Sequence, residues 1–254
     1  MMKRLLRVLI AAVALSSQSA AASESIRLDP ARIDTRDVAS LQAGVRTFVN
    51  YCLSCHSASL MRYSRLQDIG LTEQQIKDNL LFSADKVGEM MNVAMSKKDG
   101  KDWFGVAPPD LSVIARARGA DWLYTYLRGF YRDPSTTTGW NNLAFDRVAM
   151  PHVLWSLQGE RVRTEVTLKD PSGKDLGDGH GGVRKVVKLE TVTPGSMSTL
   201  EYDILARDLV NFLVWVAEPN QILRKQVGFW VLLVLGILIM LTWLLKKEYW
   251  KDVH

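Results

Sequence analysis

The chain has 254 residues and a formal charge of +5, with 47% hydrophobic and 23% charged residues. That length holds one sizeable domain, or a domain with an attached membrane segment, and the ordinary apolar and charged fractions exclude a disordered chain. Lys3, Arg4 and Arg7 lie in the first seven residues; without them the balance is +2, an ordinary solvated surface that gives no basis for a nucleic-acid partner.

These three cations precede a mostly apolar run from Leu5 to Leu15, and Ala20-Ala21-Ala22 offers small residues for cleavage before Ser23. That is the pattern of an export signal over residues 1–22, and the run is too short for a spanning helix. Residues 23–33 read as an extended segment. A helix is expected from near Asp34 or Thr35, because Val38, Leu41, Val45, Phe48 and Val49 recur at helical spacing. It runs directly into Cys52-Leu53-Ser54-Cys55-His56. Thr72 and Gln75 form a capping-box pattern for a second, short helix. Met90, Met91 and Met95 suggest another over 84–97, with Gly100 to Pro109 as loop. Asp121 to Gly129 reads as a helix closed by glycine. Residues 131–152 carry Pro134, Gly139, Asn141, Asn142 and Pro151 and read as a long loop, a place where function often resides.

Further on, Val162, Val166 and Leu168 precede a Gly/Asp-rich stretch, and Val183, Val186, Val187, Leu189 and Val192 follow it. Residues 162–192 therefore read as a two-stranded excursion with a polar tip. Ser198 and Glu201 form a second capping box, opening a helix with Tyr202, Leu205, Leu209, Phe212, Leu213 and Val216 on one face and ending before Pro219. Val227 to Leu245 is uncharged. At about 1.5 Å per residue it spans roughly the 30 Å core of a bilayer. Phe229 and Trp230 lie near one end, and Trp243, Tyr249 and Trp250 near the other, as interfacial aromatics do.

Cys52 and Cys55 are the only cysteines. A disulfide between them would close too small a loop to stabilise much. Each thiol can instead add to a haem vinyl group, and the two-residue spacing sets both sulfurs along one porphyrin edge. The adjacent His56 then reaches the iron, so the pentapeptide specifies one covalently attached haem c. A CxxC redox site belongs at a helix start in a thioredoxin-like context, which the surrounding pattern lacks. Zinc needs two further ligands, and His152, His180 and His254 form no second cluster with cysteine. The sixth position decides between electron transfer and ligand chemistry. Met90, Met91 and Met95 read as packing residues. Met150 is set apart by Pro151, which biases it toward extended geometry in a loop. From the residues alone Met150 remains a candidate, with Met197 and His152 as alternatives.

The fold class is thus mostly α: a cytochrome c-type haem domain over residues 23–223, a small β-like excursion, and one C-terminal transmembrane helix. Residues 224–254 comprise that anchor and a short cytoplasmic tail, and the export signal places the haem domain on the outer side of the membrane, which in a bacterium is the periplasmic side of the inner membrane.

Four segments give the chain a specific resemblance. They are Ser40 to Gly44 running through the haem motif to Tyr63-Ser64-Arg65-Leu66; Pro108-Pro109-Asp110-Leu111-Ser112 with Arg116-Ala117-Arg118; Ala149-Met150-Pro151; and Trp215-Val216-Ala217-Glu218-Pro219 followed by Arg224-Lys225 and the apolar span. Together they resemble the cytochrome c1 family, the haem subunits of cytochrome bc1 complexes, in a bacterial form. The resemblance implies His56 and Met150 as axial ligands, and Pro109 packed near the haem. It also implies Arg118 paired with a haem propionate, and an aromatic near the haem at about Trp122. It further implies a quinol–cytochrome c oxidoreductase with a membrane cytochrome b, a Rieske iron–sulfur protein as electron donor and a soluble cytochrome c as acceptor. No substrate is transformed on such a chain itself. A stand-alone membrane-anchored haem enzyme and a cytochrome c serving a terminal oxidase remain as other readings. The resemblance has its least support at residues 162–192.

Overall fold

The computed structural model describes residues 26–177, 183 and 185–251. The export signal at 1–22, His180 and His254 lie outside the described residues.

The first helix, α1 (Val38–Tyr51), is capped by Asp37, whose side chain accepts from Ser40 N at 3.1 Å. It starts three residues later than the spacing predicts, because Asp34 to Asp37 forms a turn closed by Asp37 N donating to Asp34 O. Its buried stripe of Leu41, Gly44, Val45, Phe48 and Val49 lies on the long helix α7 (Thr199–Ala217). The two helices approach closely because residue 44 has no side chain: a Cβ there would stand 2.2 Å from Asp208 O and 2.6 Å from Phe212 Cβ. Ser40 Oγ donates to Asp208 Oδ1 at 2.7 Å, and Asn211 Nδ2 donates to Ser40 Oγ at 3.0 Å, so the crossing carries a buried polar pin within an apolar seam. The Ser198 capping box that opens α7 is present in full.

Strand β1 (Ala58–Arg62) leads into a 3-10 turn (Tyr63–Ile69) and helix α2 (Glu73–Asn79), opened by the Thr72–Gln75 capping box. The helix expected over 84–97 is absent. Met90–Met91 is instead strand β2, antiparallel to β1, and Val87 O and Glu89 O accept from Ser64 N and Tyr63 N. The methionines had suggestive spacing, but the backbone there is already spoken for by β1 and the turn after it. Helix α3 (Lys97–Phe104) begins where that reading ended, capped by Ser96 Oγ on Asp99 N, and takes in Gly100 to Phe104, which read as loop.

Helix α4 (Ile114–Arg118) is followed by α5 (Ala120–Arg128), which matches the segment expected to end at Gly129. Residues 131–152 are less irregular than the turn residues imply. Strand β3 (Phe130–Arg132) pairs antiparallel with β4 (Trp140–Asn142), and the rest is turn and loop up to a single helical turn, α6 (Trp155–Gln158). Strands β5 (Gly159–Thr167) and β6 (Lys185–Pro194) pair antiparallel from Gly159↔Pro194 to Thr167↔Lys185, with a register shift between Glu160 and Arg161, forming the two-stranded excursion. Its base sits beside β3. Helix α8 (Gln221–Tyr249) is 29 residues long with no part of its most apolar window buried, so it is long and apolar enough to cross a membrane.

The N-terminal segment is tied down despite having no regular structure. Ala31 N donates to Asp121 Oδ1 and Asp29 N to Thr125 Oγ1, each at 2.8 Å. Arg128 bridges Asp29 and Asp203 at 2.6 Å each, joining this segment, α5 and α7.

Candidate functional site

The C-terminus of α1 does not simply stop. Cys52 N and Leu53 N both donate to Phe48 O at 2.9 Å, and Cys55 N and His56 N then donate to Cys52 O at 3.0 and 2.8 Å. This tight turn folds the motif back on itself, so Cys52, Cys55 and His56 all line one cavity of about 330 Å³. The size lies within the range of small-molecule and cofactor sites. The two cysteines are not joined to each other by a disulfide. Burial, with a smaller contribution from neighbouring Cys55, pushes the Cys52 thiol up to about 12. A dithiol built for exchange chemistry needs the opposite, a stabilised thiolate.

His56 is buried, and its Nδ1 donates to Pro109 O at 2.7 Å. A carbonyl only accepts, so the proton sits on Nδ1 and Nε2 carries the lone pair, the arrangement a metal-bound imidazole needs. Burial draws the imidazole below its ordinary range; the Pro109 carbonyl and the Asp110 charge oppose this. Pro109 therefore does more than pack. Its own position is fixed by a clamp: Leu111 N donates to Ser57 O at 2.8 Å, while Asp110 accepts from Ser59 N at 2.9 Å and from Ser112 N at 2.8 Å. Burial alone would raise the Asp110 carboxyl, but these hydrogen bonds hold it below the usual carboxylate range.

Met150 lines the same cavity, on the Ala149-Met150-Pro151 segment. The Tyr126 hydroxyl donates to its Sδ at 3.4 Å. The two alternatives for the sixth position do not reach the cavity wall. Met197 packs against the core next to Leu157, where its N–H donates to Leu157 O. His152 lies in a separate aromatic slot, its pKa drawn to about 3 by burial and by the Arg161 charge.

The rest of the wall is apolar, supplied by Ile114, Leu123, Leu127, Val153, Leu209 and Leu213 among others, and Arg118 is its one charged guanidinium among the described residues. Arg118 is exposed at the mouth, 4.9 Å over the Trp122 ring and 5.8 Å from the Phe145 ring centroid. Trp122 stacks on Tyr126 at 5.0 Å, and Tyr126 meets Phe130 edge-on at 5.1 Å. Arg118, Trp122 and Tyr126 line the cavity, Trp122 and Tyr126 lie one turn apart on α5, and Phe130 backs Tyr126 from β3. The sequence reading missed Tyr126. Its signal was available: it lies one helical turn beyond Trp122, on the same face of α5.

These groups fit a haem. Two thiols stand beside a bare imidazole nitrogen, a thioether lies on the same cavity, apolar walls suit the macrocycle, and a guanidinium at the mouth suits an anionic carboxylate.

The family model described as Cytochrome C1 family matches residues 31–165 and 186–253. The stretch between those matches is the outer part of the β5–β6 excursion. The chain is 48% identical over 252 residues to the ammonia monooxygenase gamma subunit of Nitrosomonas europaea, covering 99% of this chain and 100% of that one. It is 47% identical over 228 residues to cytochrome c1 of Allochromatium vinosum, covering 89% of this chain and 90% of that one. Cytochrome c1 of Rhodospirillum rubrum is 28% identical over 238 residues, covering 85% and 83%.

Proposed function

The chain belongs to the cytochrome c1 family, and from that premise we propose that it is the haem c subunit of a quinol–cytochrome c oxidoreductase. In this role it accepts an electron from a Rieske iron–sulfur protein and passes it to a soluble cytochrome c, with a cytochrome b as membrane partner. The observation that carries the reading is the placement of Cys52, Cys55, His56 and Met150 on one apolar cavity. Family membership implies covalently bound haem c. Cys52 and Cys55 would hold it by thioether bonds, His56 and Met150 would ligate its iron, and Arg118 would face a propionate. Bound there, the haem supplies a reversible one-electron couple.

The residues of the chain set the conditions for that couple. The Pro109 carbonyl holds His56 in the tautomer that offers Nε2, and burial keeps the ring neutral. With the Met150 thioether and the His56 imidazole as its ligands, the iron would favour the reduced state and take a higher potential. Leu123, Leu127, Leu209 and Leu213 exclude water from the cavity, which disfavours added charge and limits reorganisation when an electron arrives or leaves. Residues 1–22 direct export, residues 23–223 form the periplasmic haem domain, and residues 224–254 anchor it with the C-terminus in the cytoplasm. Helix α8 supports the anchor.

Purification of the full chain in mild detergent tests the assignment. Recovery with b-type haem and an iron–sulfur protein is expected, and quinol-dependent reduction of a soluble cytochrome c should accompany them. Recovery of a c-type haem protein without those partners would refute it. The Nitrosomonas relative's name points to a different assembly; ammonia oxidation co-purifying in place of b-type haem would move the chain there.

A further inference from the structure

We propose that His152 is a positioning residue for the sixth ligand: its imidazole is a wedge that fixes the Met150 segment so that the thioether faces the cavity under the Tyr126 hydroxyl. This rests on the assignment of Met150 as ligand.

His152 lies two residues beyond Met150 and is 2% exposed. Its ring lies flat on Phe130, with centroids 4.7 Å apart and 5° between planes, and meets Trp140 edge-on at 5.1 Å. Phe130 belongs to β3 and Trp140 to β4, so the wedge sits in a slot made by a hairpin that is itself held in register. Phe130 also contacts Tyr126, the residue whose hydroxyl reaches Met150 Sδ. One ring thus touches both the residue that locates the methionine backbone and the residue that touches its sulfur. Between Met150 and His152 lies only Pro151, whose ring fixes φ and removes a donor, so little freedom remains for the segment.

The slot is braced from behind. Arg161 of β5 donates through Nη2 to Phe130 O at 3.1 Å and also to Arg128 O. Arg132 covers the far face of Trp140 at 3.9 Å and pairs with Glu160. Gln158 and Arg161 face the imidazole edge. His152 Nε2, Gln158 Oε1 and Arg161 Nε are buried together, and Gln158 is the group that meets the polar edge of the imidazole. An imidazole gives a flat face to Phe130 and a polar edge to Gln158. A phenyl ring gives the first only, and a methyl group gives neither.

Ligand constellations tolerate displacements of only about 0.5 Å, and the supporting shell sets them. The test compares His152→Ala, His152→Phe and Met150→Leu in the full chain with its haem attached. The readouts are the near-infrared sulfur-to-iron charge-transfer band of the oxidised form, the midpoint potential, and carbon monoxide binding to the reduced form. His152→Ala should weaken the band, lower the potential and open the iron to carbon monoxide while covalent haem content stays normal. His152→Phe should restore most of the band. A His152→Ala protein that melts earlier but keeps the wild-type band and potential would make His152 a packing residue and overturn the proposal. Should His152→Ala fail to accumulate, Trp140→Leu thins the slot from its other side; a partial loss of the band is expected, and an unchanged band overturns the proposal. Met150→Leu separates the two levels: if it keeps the band, the ligand assignment itself has failed.

Discussion

Replacing Gly44 with alanine sets two forces against each other. In an exposed helix, Gly→Ala stabilises by about 1 kcal/mol, because glycine has the greater backbone entropy to lose. Position 44 is not exposed: the added Cβ would meet Asp208 O at 2.2 Å and Phe212 Cβ at 2.6 Å. Ordinary contact, at 3.4–4 Å, lies about 1.2–1.8 Å beyond the first of these. Backbone cannot rotate away as a side chain can, so α1 and α7 must part. Overpacking of this kind costs about 1–3 kcal/mol. Parting the helices also stretches the Ser40–Asp208 and Asn211–Ser40 hydrogen bonds, each worth about 0.5–1.5 kcal/mol. The net loss is then about 1–5 kcal/mol after the propensity gain, or roughly 2–20 °C in Tm for a chain of this size. Thermal unfolding of the purified haem protein, followed by circular dichroism, measures it. An unchanged or raised Tm would mean that propensity governs the site and that the helix seam is looser than described.

Three further outcomes follow from the site. Tyr126→Phe removes the donor to Met150 Sδ; the hydroxyl draws density from sulfur, which oxidised iron resists most, so the potential should fall by up to about 60 mV, the one-electron equivalent of 1.4 kcal/mol. A potentiometric titration that finds no change, or a rise, contradicts this. Asp110 is held below its ordinary value of 3.8, so its contribution is complete above that pH and is lost as pH falls through the lower folded value. Asp110→Asn should therefore lower stability at neutral pH and flatten the acid limb of the stability profile; parallel wild-type and variant profiles would refute the clamp. Shortening the excursion beyond Thr167 and Lys185 should leave the haem spectrum and potential unchanged, since Glu160 and Arg161 at its base brace the site and none of the described residues 168–177 lines the cavity; a changed spectrum would contradict it.

What the sequence disclosed depended on how local the cause was. Cys52, Cys55 and His56 were legible because the chemistry of two thioethers and one imidazole demands neighbouring residues. The capping boxes at Thr72 and Ser198 and the uncharged run at Val227 to Leu245 were legible for the same reason, each needing only its own turn or span. Met150 was half legible: Pro151 marked it, yet nothing local separated it from His152 or Met197. The cavity wall does that, and a wall is built from α1, α5 and α7 together. Met90 and Met91 misled because helical spacing is a weak signal when another segment supplies the hydrogen bonds; β1 and the turn after it claim that backbone. The Pro109 carbonyl, a main-chain acceptor 53 residues from His56, left no mark in side-chain pattern at all. Trp140 and His152 read as residues of a long loop, and only the pairing of β3 with β4 turns them into parts of a slot.

The central claim is a closed iron held by His56 on one side and Met150 on the other. Optical spectra of the purified, redox-poised protein, taken with and without carbon monoxide, test it most directly. A c-type haem with a sulfur-to-iron charge-transfer band when oxidised, and no carbon monoxide binding when reduced, is the predicted result. A high-spin haem that binds carbon monoxide promptly and in full would contradict it.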